Sequence, residues 1–135
     1  MSAMEKIKNL ALIDDDDTFV FLTKKVIEQT NLVEQIKVFA NGRDAINFLK
    51  ENSGKPDLLP EIILLDLNMP IMDGWQFLED YIHLKPKMGK KITIYIISSS
   101  ISPHDIERAK GISEVSDFII KPVTKEKFIS MLNQL

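Results

Sequence analysis

The segment Ile62-Ile63-Leu64-Leu65-Asp66 is the most informative stretch for the fold, because four consecutive large apolar residues stand directly before a carboxylate. A strand with one face in water alternates apolar and polar residues, whereas a strand covered on both faces is apolar throughout. Four residues also suit a strand better than a helix, which needs a longer pattern. The segment therefore predicts a buried strand of a parallel sheet, with Asp66 at its carboxyl end.

Apolar runs of similar length recur along the chain. The five predicted strands are Leu10 to Ile13, Val33 to Phe39, Ile62 to Leu65, Ile92 to Ile97 and Phe118 to Ile120. The segments between them carry apolar residues at helical spacing, such as Phe19, Leu22 and Val26, and Leu78, Tyr81 and Ile82. Strand and helix alternating five times predict a doubly wound α/β domain with helices on both faces of the sheet.

Length and composition agree with one globular domain. The chain has 135 residues, of which 44% are hydrophobic and 27% are charged, and these fractions are close to the average for soluble proteins. We expect a single domain over residues 5–135, preceded by a short N-terminal extension of residues 1–4. Met4 is an alternative natural start, which would leave Met1 to Ala3 outside the native protein.

Several classes of function are excluded by composition. The net charge of -3, without a long block of Lys or Arg, argues against binding to DNA or to anionic membranes. Cysteine is absent, so disulfides, thiolate nucleophiles and zinc sites built on sulfur are excluded. The histidines His83 and His104 are too few for a histidine-rich metal site. No apolar run reaches the roughly 18 residues of a membrane span, so we expect a soluble cytoplasmic protein.

Polar side chains follow four of the five predicted strands. They are Asp14 and Asp15, Asp66, Ser98 and Lys121. The carboxyl ends of parallel strands share one edge of the sheet, which is where ligands bind in such folds. Crowded carboxylates repel unless a cation joins them, and oxygen ligands suit Mg²⁺ or Mn²⁺. Because Lys121 adds a cation and Ser98 a hydroxyl, the set predicts a phosphoryl site, with Asp66 as the nucleophile.

Four local motifs occur in an order that resembles the receiver domains of two-component response regulators, over almost the whole chain. The first is Leu12-Ile13-Asp14-Asp15-Asp16. The second is Leu64-Leu65-Asp66-Leu67-Asn68-Met69-Pro70, followed by Met72-Asp73-Gly74. The third is Ile97-Ser98-Ser99, and the fourth is Phe118-Ile119-Ile120-Lys121-Pro122. Each motif alone is weak evidence, but four in the right order are specific.

The resemblance implies a CheY-like (flavodoxin-like) fold with sheet order 2-1-3-4-5, and a role for each site residue. Asp66 would be the phosphoacceptor. Asp15, Asp66 and the backbone carbonyl of Asn68 would bind Mg²⁺ directly, with Asp14 acting through water. Ser98 and Lys121 would contact the phosphoryl group, and Lys121-Pro122 would be a cis peptide.

Three positions depart from the common pattern of the family. Phe118 occupies the place of a frequent tyrosine, so a switching hydroxyl is absent and the ring is either a switch or a core residue. Ser98 replaces threonine, and the loss of a methyl group loosens its rotamer preference. Ser100 is small and uncharged at a position that tunes the lifetime of the phosphoryl group, so that lifetime is left open.

Two other functions compete with a phosphoacceptor. Asp14-x-Asp16-x-Thr18 resembles the nucleophile motif of haloacid dehalogenase-type phosphatases, with Asp14 as nucleophile and Asp16 as acid/base. Against this, Glu126 is the only carboxylate side chain after Lys121, so the later acidic motif of that superfamily is missing. The other is a pseudo-receiver that binds partners without phosphorylation.

The acidic run also has an ordinary structural role, since Asp16 or Asp17 would cap the first helix.

The expected function is that of a stand-alone response regulator rather than an enzyme with an external substrate. A histidine kinase or a histidine phosphotransfer protein would donate the phosphoryl group, and an unidentified protein target would respond. We expect no contact with DNA or membranes, and a monomer or a phosphorylation-linked dimer. Phosphorylation can shift the conformation only by stabilising one state more than the other.

Overall fold

The computed structural model describes residues 6–99 and 102–134. In this part of the chain, five strands alternate with five helices: β1 (Ile7–Ile13), α1 (Asp17–Thr30), β2 (Val33–Phe39), α2 (Gly42–Glu51), β3 (Ile62–Asp66), α3 (Gly74–Met88), β4 (Thr93–Ser98), α4 (Pro103–Lys110), β5 (Val115–Ile120) and α5 (Lys125–Leu132). The strands form one parallel sheet in the order β2-β1-β3-β4-β5. The predicted fold class and strand order are therefore confirmed. The predicted extension of residues 1–4 and Ser100 lie outside the described residues.

The sheet is the middle of three layers. In β3, Ile63 and Leu65 pack on the face that α2 and α3 cover, whereas Ile62 and Leu64 pack on the face that α1 and α5 cover. Strands β1 and β4 alternate in the same way. Both faces of the central strands are thus sealed by helices, which explains why these strands are apolar without interruption.

The edge strands are less buried than the central ones. Strand β2 consists of exposed and half-buried residues only, and β5 is fully buried only at Ile119. The prediction for β5 began three residues too late at Phe118, because Ser116 and Asp117 break the apolar run at an exposed edge. Similarly, β1 begins at Ile7 rather than Leu10. The other predicted strand limits agree within one residue.

The predicted apolar stripe of α1 was wrong at Leu22, whereas Phe19 packs against the core as expected. Leu22 is 56% exposed, whereas Thr23 and Ile27 are the buried residues of this helix. Apolar residues occupy positions 19–22 and 26–27, so the spacing fits more than one face. In α3, Leu78 and Tyr81 are buried as predicted, but Ile82 is exposed. Contact with the sheet, rather than periodicity, decides which face is covered.

Each helix begins with a polar N-cap at the carboxyl edge of the sheet. The capping side chains accept a hydrogen bond from the backbone three residues later, and they are Asp16, Asn41, Asp73, Ser102 and Thr124. Of the two residues predicted to cap α1, Asp16 is the N-cap, and in α4 Pro103 directly follows the N-cap Ser102. Such caps fix the loops that carry the polar side chains of this edge. No helix in the described part of the chain is long and apolar enough to cross a membrane.

Candidate functional site

The register of the sheet brings Asp14 and Asp66 together. Ile13 pairs with Leu65 across β1 and β3, so the next residues on each strand, Asp14 and Asp66, are also neighbours. Adjacent strands lie about 4.8 Å apart. Both positions continue the alternation that directs Leu12 and Leu64 to the face of α1 and α5. Two carboxylates consequently share one end of the sheet.

Three carboxylates form a compact acidic cluster. Asp14, Asp15 and Asp66 each offer an oxygen, and these oxygens lie within 4.8 Å of one another. Asp14 and Asp66 are buried, whereas Asp15 is exposed. One carboxylate is therefore open to the solvent and two are held by the sheet. A ligand approaching from water meets all three together.

Lys121 is the cation of this cluster. Its Nζ lies 2.9 Å from Asp14 Oδ2 and 3.7 Å from Asp66 Oδ1, and its side chain is only 15% exposed. The Lys121–Pro122 peptide is cis, as expected. The backbone N–H of Lys121 donates to the carbonyl of Ser98 at 2.8 Å, which ties the loop after β5 to the end of β4. Residues far apart in sequence thus meet as predicted.

The charge on Asp66 is unfavourable in this setting. Burial, helped by the neighbouring carboxylate of Asp14, raises the pKa of Asp66 from 3.8 to about 6. Lys121 and a hydrogen bond from the backbone of Asn68 act in the opposite direction but do not cancel the effect. A bound cation would lower the pKa of Asp66 again, because it favours the ionised carboxylate.

The donor set fits a hard divalent cation. Asp14 Oδ1 accepts the backbone N–H of Asp16 at 2.9 Å. Asp14 Oδ2 is buried and accepts no well-aligned hydrogen bond from the described residues, so only its ion pair with Lys121 compensates it. A buried oxygen in need of a donor would suit the water shell that Mg²⁺ usually retains. The acidic cluster can therefore hold Mg²⁺ or Mn²⁺.

The remaining predicted site residues lie around this cluster. Ser98 is buried at the end of β4, the strand beside β3, whereas the next residue, Ser99, is exposed. Asn68 is exposed in the loop after β3. Phe118 is half-buried, packs against the core beneath α3 and α4, and lines the grooves on both sides of β5. It is thus a partly packed aromatic residue at the surface of the last strand.

The loop after Asp66 is tightly packed against the site. Met72 donates to the carbonyl of Pro70 at 2.7 Å, which closes a three-residue turn with Ile71 at φ 69° and 74% exposed. This conformation is costly for a β-branched residue. Gly74 N–H donates to the carbonyl of Leu67, so the chain passes directly against the end of β3.

Gly74→Ala is expected to disrupt this loop. A Cβ at position 74 would lie 2.6 Å from the carbonyl oxygen of Asp66 and 2.9 Å from Leu67 Cα, which is closer than atoms can pack. We expect a loss of about 2 to 4 kcal/mol in the free energy of unfolding. Urea denaturation measures it, with Gly111→Ala as the control, since that Cβ would meet its nearest atom at 3.5 Å. Equal effects of the two substitutions would contradict the packing argument.

One residue of the site was missed by the sequence interpretation. Phe19, assigned only to the core stripe of α1, places its ring 4.2 Å from Lys121 Nζ. Its position in the first turn of a helix that begins at the acidic cluster could have indicated this.

Asp16 is the N-cap of α1 and does not belong to the acidic cluster. In the phosphatase interpretation Asp16 is the acid/base, so that interpretation lacks a residue for this role.

Known proteins share this fold. A two-component response regulator from Cytophaga hutchinsonii superposes with a TM-score of 0.85 at 34% identity, over 96% of this chain and 97% of that one. The probable methanogenesis regulatory protein FilR2 of Methanothrix harundinacea is 26% identical over 117 residues, 87% of this chain and 74% of that protein. A protein-glutamate methylesterase/protein-glutamine glutaminase of Methanococcoides burtonii is 31% identical over 96% of this chain, but only 34% of its own length is covered.

Residues 10–133 match the family described as the response regulator receiver domain. Receiver domains are phosphoacceptor modules of two-component signalling that generally bind Mg²⁺ in a cluster of aspartates. They generally interact with histidine kinases or phosphotransfer proteins and with downstream targets. The match covers nearly the whole chain, and the other two interpretations are not favoured. With its sheet order, its acidic cluster and its strand-end lysine, this chain belongs to the response regulator receiver domain family.

Proposed function

We propose that this chain is a stand-alone receiver that accepts a phosphoryl group on Asp66 from a phosphohistidine donor, in a reaction that requires Mg²⁺ or Mn²⁺. One observation carries the proposal. The carboxylate of Asp66 stands within 4.8 Å of those of Asp14 and Asp15, and 3.7 Å from the ammonium of Lys121. Few chemical tasks other than phosphoryl transfer need this combination of anions and a cation.

Asp66 would act as the nucleophile. An ionised oxygen of its side chain attacks phosphorus, and the bond between phosphorus and the imidazole nitrogen of the donor breaks. The electron pair leaves with the imidazole, whose other ring nitrogen already carries a proton, so that neutral histidine remains and Asp66 becomes an acyl phosphate. Its pKa of about 6 means that the side chain is largely ionised at pH 7. Because a mixed anhydride is reactive, the product suits a transient signal.

The acidic cluster would hold the cation. Asp15, Asp66 and the backbone carbonyl of Asn68 would be direct ligands, and Asp14 would act through a water molecule. When bound, Mg²⁺ would offset the negative charge of the carboxylates and of the incoming phosphoryl oxygens. The buried Oδ2 of Asp14 has an ion pair with Lys121 but no well-aligned hydrogen bond from the described residues, which supports a water-mediated role, since a metal-bound water could donate to it.

Ser98 and Lys121 would bind the remaining phosphoryl oxygens. The ammonium of Lys121 is already held at the acidic cluster, and Ser98 is buried at the neighbouring strand end. Phe118 would respond behind Ser98 and alter the surface around β5, where it lines two grooves. The proposed outcome is a change in protein contacts rather than turnover of a substrate.

The proposed partners follow from the family. A histidine kinase or a histidine phosphotransfer protein would be the donor, and a protein of unknown identity would be the target, without DNA or membrane contacts. The unit would comprise residues 5–135 as one domain, as a monomer or a phosphorylation-linked dimer.

Intact mass spectrometry tests the proposal. The protein is incubated with acetyl phosphate or phosphoramidate and Mg²⁺, and we expect the gain of one phosphoryl group, which EDTA prevents. Borohydride reduces an acyl phosphate of aspartate to homoserine, so peptide mapping should place the modification at residue 66. Release of phosphate from a generic monoester through Asp14 would instead indicate a phosphatase, and absence of both reactions would indicate a pseudo-receiver.

A further inference from the structure

The ring of Phe19 is fixed at the mouth of the acidic cluster. Its backbone N–H donates to the N-cap side chain of Asp16 at 3.1 Å, in the first turn of α1. The side chain is half-buried and packs against the core that lies between the sheet and helices α1 and α5. Both the helix cap and the core restrain this ring, so it offers a rigid aromatic surface.

Lys121 lies between this ring and the carboxylates. Its Nζ is 4.2 Å from the ring centroid, 2.9 Å from Asp14 Oδ2 and 3.7 Å from Asp66 Oδ1. The distance to the ring is well within the range of a cation–π attraction, which strengthens when the cation is shielded from water. The ammonium is thus closer to Asp14 than to the predicted nucleophile.

We propose that Phe19 is a positioning residue that holds the Lys121 ammonium on the Asp14 side of the site. The attacking oxygen of Asp66 then stays open to phosphorus, while the cation waits where a phosphoryl oxygen on Asp66 can meet it. This inference rests on the proposed phosphoacceptor function. It assigns a task to a residue outside the four receiver motifs of this sequence.

An aromatic ring suits this task better than another polar group. The lysine side chain is a flexible stem with several rotatable bonds, so an unrestrained ammonium would either pair more closely with Asp66 or turn out to solvent. A further carboxylate would restrain the ammonium but would compete with phosphoryl oxygens for its protons. The face of Phe19 attracts the charge and leaves the N–H groups available to oxygen acceptors.

The chain offers a matched control for this pair. Lys37 Nζ lies 4.7 Å from the ring centroid of Phe48, on β2 and α2, away from the acidic cluster. Phe48 is half-buried against the core, as Phe19 is. Phe48→Leu therefore removes a half-buried ring and its cation–π contact with the exposed Lys37, together with the ring contact between Phe48 and Phe39, and leaves Lys121 and the three carboxylates unchanged.

The rate of labelling by acetyl phosphate with saturating Mg²⁺ tests the proposal. We expect Phe19→Leu to slow labelling by about threefold to tenfold, and Phe48→Leu to leave the rate within about twofold of wild type. Phenylalanine analogues with one, two and three ring fluorines at position 19 keep the packing but weaken the negative face. The rate should fall stepwise along this series, whereas a purely structural ring would give one constant rate.

Two further measurements separate positioning from folding. In a Lys121→Met background, the Phe19→Leu change should have no additional effect on the labelling rate, because the group that it positions is gone. In the metal-free protein, the Lys121 Hε resonances should move downfield in Phe19→Leu as the ring current is lost. Wild-type rates across the fluorinated series, or equal slowing in the Lys121→Met background, would overturn the proposal.

Failure of this proposal can be told apart from failure of the proposed function. If wild type gains no phosphoryl group, the phosphoacceptor function itself is wrong, yet the resonance shift would still report the contact between Phe19 and Lys121. If wild type is labelled and Phe19→Leu is labelled at the same rate, only the positioning role fails.

Discussion

Asp66→Asn is expected to abolish phosphoryl labelling and, at the same time, to stabilise the metal-free protein. The amide is no longer an anionic nucleophile, so no acyl phosphate forms at residue 66. The same change removes a buried negative charge whose pKa is raised to about 6, above the 3.8 of an ordinary aspartate. The substitution should lower labelling and raise the free energy of unfolding, whereas a general structural defect would lower both.

The pH dependence of stability gives the sign of the second effect. A carboxyl group whose pKa is higher in the folded state than in the unfolded state stabilises the fold at pH values below its unfolded-state pKa. This contribution is lost as the pH rises through its folded-state pKa, because the folded protein must then hold the carboxylate ionised. For Asp66 the loss falls between about pH 4 and pH 6. In EDTA at pH 7 we expect Asp66→Asn to be about 1 to 3 kcal/mol more stable than wild type, and the difference should shrink towards pH 4.

Urea denaturation across this pH range measures the effect, and intact mass measures labelling in parallel. Asp17→Asn is the control, because Asp17 is exposed in the first turn of α1, where a negative charge favours the helix. The Asp17→Asn protein should still gain a phosphoryl group, and its free energy of unfolding should fall slightly. If Asp66→Asn is less stable than wild type in EDTA, the buried charge of Asp66 does not destabilise the folded protein.

Asp15→Asn is expected to weaken Mg²⁺ binding by about 100-fold or more. Asp15 is the exposed member of the acidic cluster and is free of the ion pair that Lys121 makes with Asp14 and Asp66. Loss of an anionic ligand removes both a coordinating charge and a fixed oxygen, and even indirect supporting groups of metal sites are worth about 10- to 100-fold. The site should therefore lose most of its affinity.

Calorimetric titration with Mg²⁺ measures the affinity directly, and thermal unfolding measures its consequence. A ligand that binds only the folded state stabilises it by RT ln(1 + [L]/Kd), so at a Mg²⁺ concentration near the Kd of wild type the rise in unfolding temperature should disappear in Asp15→Asn. Asp17→Asn again serves as the control, because it removes the same charge two residues away and outside the acidic cluster. If both variants bind Mg²⁺ equally well, Asp15 is not a ligand and the charge of the segment acts only from a distance.

Most of the candidate site could be predicted because each of its residues follows an apolar run. The ends of β1, β3, β4 and β5 were recognisable in the sequence, and a parallel sheet gathers such ends at one edge whatever the loop lengths are. Asp14, Asp66 and Lys121 are found together for this reason. Strand limits failed at the first residues of β1 and β5, where polar residues interrupt the apolar run: Lys8 and Asn9 in β1, and Ser116 and Asp117 in β5.

The alternation of strands and helices and the residues that gather at the carboxyl edge of the sheet could be read from the sequence alone, since periodicity and short motifs are local properties, whereas the sheet order was implied by the resemblance of these motifs to receiver domains. The packing of the folded chain was needed to show that α1 buries Thr23 and Ile27 instead of Leu22, and that Lys121 pairs with Asp14 more closely than with Asp66. It also decided that Phe19 faces Lys121. These contacts join residues that are distant in the chain, and they depend on helix rotation and side-chain rotamers, which packing against the sheet selects and local sequence does not.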